Sequence, residues 1–116
     1  MYNRIILIGH LANDPETRVT QTGTHVSTFR LATNTYLGVD EAGARRESTD
    51  FHTVVLFGKQ ADTAATYLQK GRLVHVDGRL HHRSWEGQDG QKRYTSEVVA
   101  EAFLMLGARP EAESSG

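Results

Sequence analysis

Arg79, His81, Arg83 and Trp85 stand two residues apart in one run, so on an extended chain all four point to the same side, with Leu80 and His82 opposed. A face that carries two guanidiniums, an imidazole and an indole in succession does not belong in an interior. Phe51, Thr53, Val55 and Phe57 form a second such set, opposite His52, Val54 and Leu56. Flat rings interleaved with cations suit an unpaired polyanionic strand, because rings stack on bases while cations follow phosphates. Each stacked base is worth about 1–3 kcal/mol and every base has a π-face, so such a surface tolerates sequence. Lys92-Arg93-Tyr94 lies across a Gly87–Gly90 turn from Arg83-Ser84-Trp85, which makes one joint basic–aromatic finger. Each ring also has a structural use, since a Phe in a strand commonly packs in a core, and Phe57 is the more exposed of the two to that reading.

Catalysis finds little in these residues. His81 and His82 face opposite ways and cannot chelate one ion, and His75 has only Asp77 near it on its own face. No nucleophile motif or phosphate-cradling glycine loop is present, so neither an enzyme nor a cofactor is expected. The chain has 116 residues and no cysteine, which removes disulfide, thiolate-metal and cysteine-nucleophile chemistry. No apolar run approaches the roughly 20 residues of a membrane helix. Ile5–Ile8 is too short for a signal-peptide core, so no membrane partner and a cytoplasmic location are expected.

A net charge of −1 speaks against a polyanion partner until it is divided along the chain. Residues 70–93 hold Lys70, Arg72, Arg79, Arg83, Lys92 and Arg93 against Asp77, Glu86 and Asp89, a local charge of +3. The flanking segments are at −1 before and −3 after. Because fields between exposed charges are screened within about 10 Å, a basic stripe attracts polyanions whatever the total.

The elements that must position these residues read as strands with one helix. Arg4–Leu11 is a near-continuous aliphatic run ended by Asn13-Asp14-Pro15, and reads as a buried strand. Val19–Phe29 breaks at Thr22-Gly23, and His25–Thr35 continues as a long strand. Gly38–Thr49, polar and without periodicity, reads as an exposed loop or flexible hairpin, followed by a strand over Phe51–Phe57. Ala61, Ala64, Ala65 and Leu68 then fall at helical spacing, with Gly71 as the residue that ends the helix. Leu73–Trp85 and Tyr94–Leu106 return to strand pattern around the Gly87–Gly90 turn. Three strands, a helix and two more strands is the order of an OB-fold, a five-stranded Greek-key barrel. A small sandwich with an incidental helix is the alternative. Residues 1–107 form the expected domain and 108–116 a small, polar, disordered tail.

Asn3–Leu11 with Asp14-Pro15-Glu16-Thr17-Arg18, Phe29–Asn34, Phe51–Lys59, Tyr67–Gly71, Val76–Leu80, Arg83-Ser84-Trp85 and Tyr94–Ala100 resemble, in order, the bacterial single-stranded DNA-binding protein family. The resemblance covers about residues 2 to 107. It implies an OB-fold that assembles as a homo-oligomer, usually a tetramer, and wraps single-stranded DNA without catalysis in replication, recombination and repair. It implies stacking by Phe51, Phe57 and Trp85; a fourth aromatic falls at Leu37, and the neighbouring Tyr36 is the candidate to replace it. Arg4, Lys59, Lys70 and Arg83 are similar to family DNA contacts, and with Arg72, Arg79, Lys92 and Arg93 from the positive segment they make the expected phosphate set. Thr53, Ser84 and Asp40 stand where the family often has Lys or Arg, which implies weaker phosphate attraction. His52 sits where the family places a histidine near the subunit interface. Members typically carry a Gly/Pro/Gln-rich linker and an acidic tip that recruits replication and repair proteins. The sequence given stops at Glu113-Ser114-Ser115-Gly116 without them, as either a truncated chain or a short member would. An OB-fold adaptor of the primosomal type, whose main role is protein interaction, is the alternative function.

Overall fold

In the computed structural model, which describes residues 1–107, six strands and one helix follow in the order β1 (Ile5–Leu11), β2 (Glu16–Val19), β3 (His25–Val39), β4 (Arg45–Phe57), α1 (Lys59–Tyr67), β5 (Leu73–Glu86) and β6 (Lys92–Leu106). The tail expected over 108–116 lies outside the described residues. β1 pairs with β5, β5 with β6, β6 with β4, β4 with β3, and β3 with β1 again. That ring is a closed five-stranded barrel, the OB-fold, and it displaces the sandwich alternative. Among the described residues only the β4–β6 pairing is parallel. β2 is the sixth strand, and it is the continuation of β1 rather than a new member of the ring. Leu11 pairs with Leu31 and Glu16 with Thr28, so both lie along β3 with a kink at Ala12–Pro15 between them.

Closure brings backbones together at two glycines. At Gly9, where β1 passes from β5 to β3, a Cβ would lie 2.2 Å from the carbonyl oxygen of Ala32. At Gly78, where the β5–β6 register shifts, it would lie 2.2 Å from the carbonyl oxygen of Val99. Only a residue without a side chain permits these approaches.

Alternation fills the barrel. Phe29, Leu31, Val54, Leu56, Val74, Val76 and Val98 point inward and are buried, with Leu11 beside them. Ala61, Ala64 and Leu68 press α1 and its end against this core, and the Ser27 hydroxyl, also buried, donates to the Ala61 carbonyl at 2.7 Å. Ala65, expected on the same stripe, faces solvent. The helix ends at Tyr67 with Leu68 as its cap, so Gly71 does not terminate it. Gly71 instead takes the positive-φ place in a separate turn, where Arg72 N–H donates to the Gln69 carbonyl at 3.0 Å.

One further expectation changes and one is decided. β1 is not buried throughout: Ile6 and Ile8 are about half exposed, because only the alternate residues reach the core. Of the two forms expected for Gly38–Thr49, an exposed loop or a hairpin, the hairpin is found: β3 runs to Val39 and β4 starts at Arg45, leaving Asp40–Ala44 to turn. Its arms are held by ladder hydrogen bonds rather than by burial, so hydrophobic periodicity carried no sign of them.

Candidate nucleic-acid interface

Antiparallel and parallel ladder partners share a sheet face, so the registers assemble the outer surface of the barrel row by row. Arg30 pairs with Thr53, Thr53 with Glu97, and Glu97 with His81, giving one row across β3, β4, β6 and β5. The next row along β4 holds Ala32 and Phe51, and the row on the opposite side holds Thr28, Val55, Val99 and Arg79. Phe57 closes β4 opposite Val26, about 20 Å from Phe51 at the usual rise per residue. Phe51 is 52% exposed and Phe57 48%, while Val54 and Leu56 between them are fully buried. The alternation that separated the two faces in the sequence therefore places both rings outward, on a rigid support.

Beyond the barrel, β5 and β6 continue as a two-stranded finger. From Arg79 to Trp85 every residue is exposed, and Trp85 pairs with Arg93 beside the Gly87–Gln91 turn. Arg83, Trp85, Lys92 and Arg93 are thus brought together as the sequence implied. A cleft of about 380 Å³ lined by Ser84, Trp85, Glu86, Gly90 and Lys92 lies on the finger. A second cleft of about 320 Å³, lined by Glu16, Thr17, Arg18, Thr28 and Arg83, shows the finger approaching β2 and β3.

Among the described residues three rings lie under a guanidinium. The Arg83 carbon sits 5.5 Å from the Trp85 ring centre, that of Arg30 4.6 Å from Phe51, and that of Arg45 4.8 Å from Tyr36. Tyr36 is exposed and lies just before a register shift that sets Leu37 out of the ladder. It shares the outward parity of Arg30 and Ala32 on β3.

The family model described as "Single-strand binding protein family" matches residues 2–106. The chain belongs to the single-strand binding protein family. A single-stranded DNA-binding protein of Xanthomonas campestris is 43% identical over 109 residues, 94% of this chain and 63% of that protein. Single-stranded DNA-binding protein 1 of Chlorobaculum tepidum is 45% identical over 108 residues, 92% of this chain and 66% of the relative. The chain therefore spans about three-fifths to two-thirds of the length of these curated relatives. Among solved structures, a Plasmodium falciparum SSB in complex with ssDNA superposes with a TM-score of 0.83 at 30% identity, covering 92% of this chain and 97% of that one. A deletion mutant of the single-stranded DNA binding protein from Thermus aquaticus gives 0.77 at 37% identity, covering 93% of this chain and 52% of the other.

In this family member the expected phosphate set divides by environment. Arg79, Arg83, Lys92, Lys59 at the start of α1 and Lys70 in the turn after it are exposed. Arg93 is exposed but pairs with Asp89 at 2.9 Å. Arg4 is held by Asp77 through two hydrogen bonds of 3.0 and 2.5 Å. The hydrogen bond to Asp77 raises the guanidinium above its ordinary value, and the same bond holds the Asp77 carboxyl below the usual carboxylate range. Arg72, expected among the phosphate contacts, is instead enclosed. It is only 5% exposed, fixed where β5 leaves the turn by backbone bonds to Leu11 and Gln69, and its Nε and Nη1 are buried without partners among the described residues. A charged residue beside a turn reads as solvated, and nothing local to it signalled otherwise. His52 lies with its Nε2 2.8 Å from the Thr33 hydroxyl, on the inward-facing side of β4 and partly buried.

Sequence reasoning overlooked Arg30, Arg45 and Arg18. Arg30 did carry a signal, as the lone cation between the inward Phe29 and Leu31. Its ring partner is set by cross-strand register, which no local pattern contains. No helix of the described residues is long and apolar enough to cross a membrane.

Proposed function

We propose that this chain binds and protects single-stranded DNA without strong sequence preference, stacking bases on Phe51, Trp85, Tyr36 and Phe57. Arg79, Arg83, Lys59, Lys70, Lys92 and Arg93 supply the phosphate contacts, Arg4 joining them when released from Asp77. The observation that carries this reading is the outward alignment of aromatics and cations on the strand face that OB-folds use for oligonucleotides. Family membership and the names of the relatives support it. The role is non-enzymatic, in the cytoplasm, during replication, recombination and repair. Titration with dT oligomers of graded length, read through Trp85 fluorescence, tests it: binding quenches the indole, and an unchanged signal at excess DNA refutes it.

The same protein is proposed to act as a homo-oligomer, a tetramer on the family's pattern. On the side away from β5, Ile5–Gly9 of β1 has no strand partner among the described residues, and Ile6 and Ile8 stand half exposed beside that open edge. An apolar, unpaired edge invites pairing with another copy. A measured solution mass decides it, with Ile8→Lys expected to dissociate the assembly.

A further inference from the structure

We infer that Arg30 binds single-stranded DNA as one unit with Phe51, the ring taking a base and the guanidinium the phosphate beside it. The inference rests on the proposed function and adds a residue to it. Arg30 leaves β3 on the outer face, one row from Phe51, and lies over that ring at 4.6 Å. The cross-strand partner of Phe51 is Ala32, a side chain too small to cover the ring, so the aromatic surface that Arg30 leaves uncovered stays open to a planar ligand.

Charge around the pair is lopsided. Arg4, Arg45 and Arg93 are each paired with a carboxylate, whereas none pairs with Arg30 among the described residues. Within its row Thr53 is uncharged, and Glu97 stands on the far side of Thr53, next to His81. A phosphate crossing this row is repelled from the β6 side and drawn to the β3 side. A nucleotide whose base rests on Phe51 therefore has Arg30 as its nearest cation. The guanidinium suits both halves of the task, because it is planar, lies flat against a ring, and presents several donors to phosphate oxygens. An ammonium would keep the charge and lose the flat stacking.

The test compares Arg30→Ala, Arg30→Lys, Phe51→Ala and the Arg30→Ala/Phe51→Ala double variant of the full chain. Affinity for a dT oligomer is read by Trp85 fluorescence across a NaCl series, with thermal unfolding as the check on folding. Arg30→Ala is expected to weaken binding about tenfold and to reduce the salt slope by about 0.7. Arg30→Lys should keep the slope while recovering only part of the affinity. The double variant should lose clearly less than the two single losses combined. Wild-type affinity in Arg30→Ala, with Phe51→Ala weakened, overturns the inference and leaves the proposed function standing. Strictly additive losses overturn the joint unit. No binding by the unaltered chain overturns both.

Discussion

The barrel face and the finger present similar chemistry on unlike foundations. Phe51 and Phe57 project from β4, whose alternate residues Val54 and Leu56 are anchored in the core beneath. Trp85 projects from a hairpin in which Arg79–Glu86 and Lys92–Tyr94 are all exposed. What fixes the finger is its ladder, the Gly87–Gln91 turn, the His82–Ser96 hydrogen bond at 2.7 Å and the Arg93–Asp89 pair. A two-stranded ribbon with no apolar face buried is marginal by itself. The barrel thus offers a platform whose geometry is set by its own core, while the finger draws its order from few interactions and stands to gain most from the proposed ligand.

The widest gap between the two regions should appear in stability. Leu56→Ala empties part of the core and is expected to cost about 2–5 kcal/mol in denaturant unfolding. Trp85→Ala, on the finger, should stay within about 0.5 kcal/mol of the unaltered protein. Comparable losses in the two variants would show that the finger is part of the cooperative unit. In DNA binding the order reverses, and Trp85→Ala should lose about 1–3 kcal/mol for poly-dT. Arg83→Ala should be milder, reducing the salt slope by about 0.7 for each phosphate that Arg83 neutralises; an unchanged slope would detach Arg83 from the DNA path. The smallest effect belongs to Arg4. Asp77→Asn frees its guanidinium, so the salt slope should steepen by at most the same increment. Acid does likewise: the Asp77 carboxyl sits below its unfolded value, so its pairing is intact at neutral pH and is lost as pH falls through that depressed range. If Asp77→Asn binds DNA with the unaltered slope, Arg4 lies off the path.

The two regions also differ in how far a sequence foretells them. Parity along Phe51–Phe57 separated the outward rings from Val54 and Leu56 correctly, because burial of one face imposes a period of two. The same rule put Arg83 beside Trp85. It was masked at Ile6 and Ile8, where Ile5–Ile8 is apolar throughout although only alternate residues reach the core. It was silent on residues 38–49, whose strands are made by partners rather than by a core. Arg30 and Arg72 mark the limit most clearly. Both are arginines within or beside a strand, yet one stacks on an exposed ring and the other is enclosed, and the difference lies entirely in which distant segments pass over them.

The pairing of β1 carries a consequence for how the chain reaches this state. Ile5 meets Gly78, and the ring closes only when β6 lies between β5 and β4. The β3–β4 hairpin and α1 rest on local contacts, whereas closure joins segments far apart in the chain, β1 with β5 and β4 with β6. Such long-range pairing slows folding, because chain entropy must be lost before the interactions that offset it exist. On a ribosome, β1 through β5 would emerge with open edges until Lys92–Leu106 followed. Over that interval the unpaired apolar strands are exposed to partners other than their own.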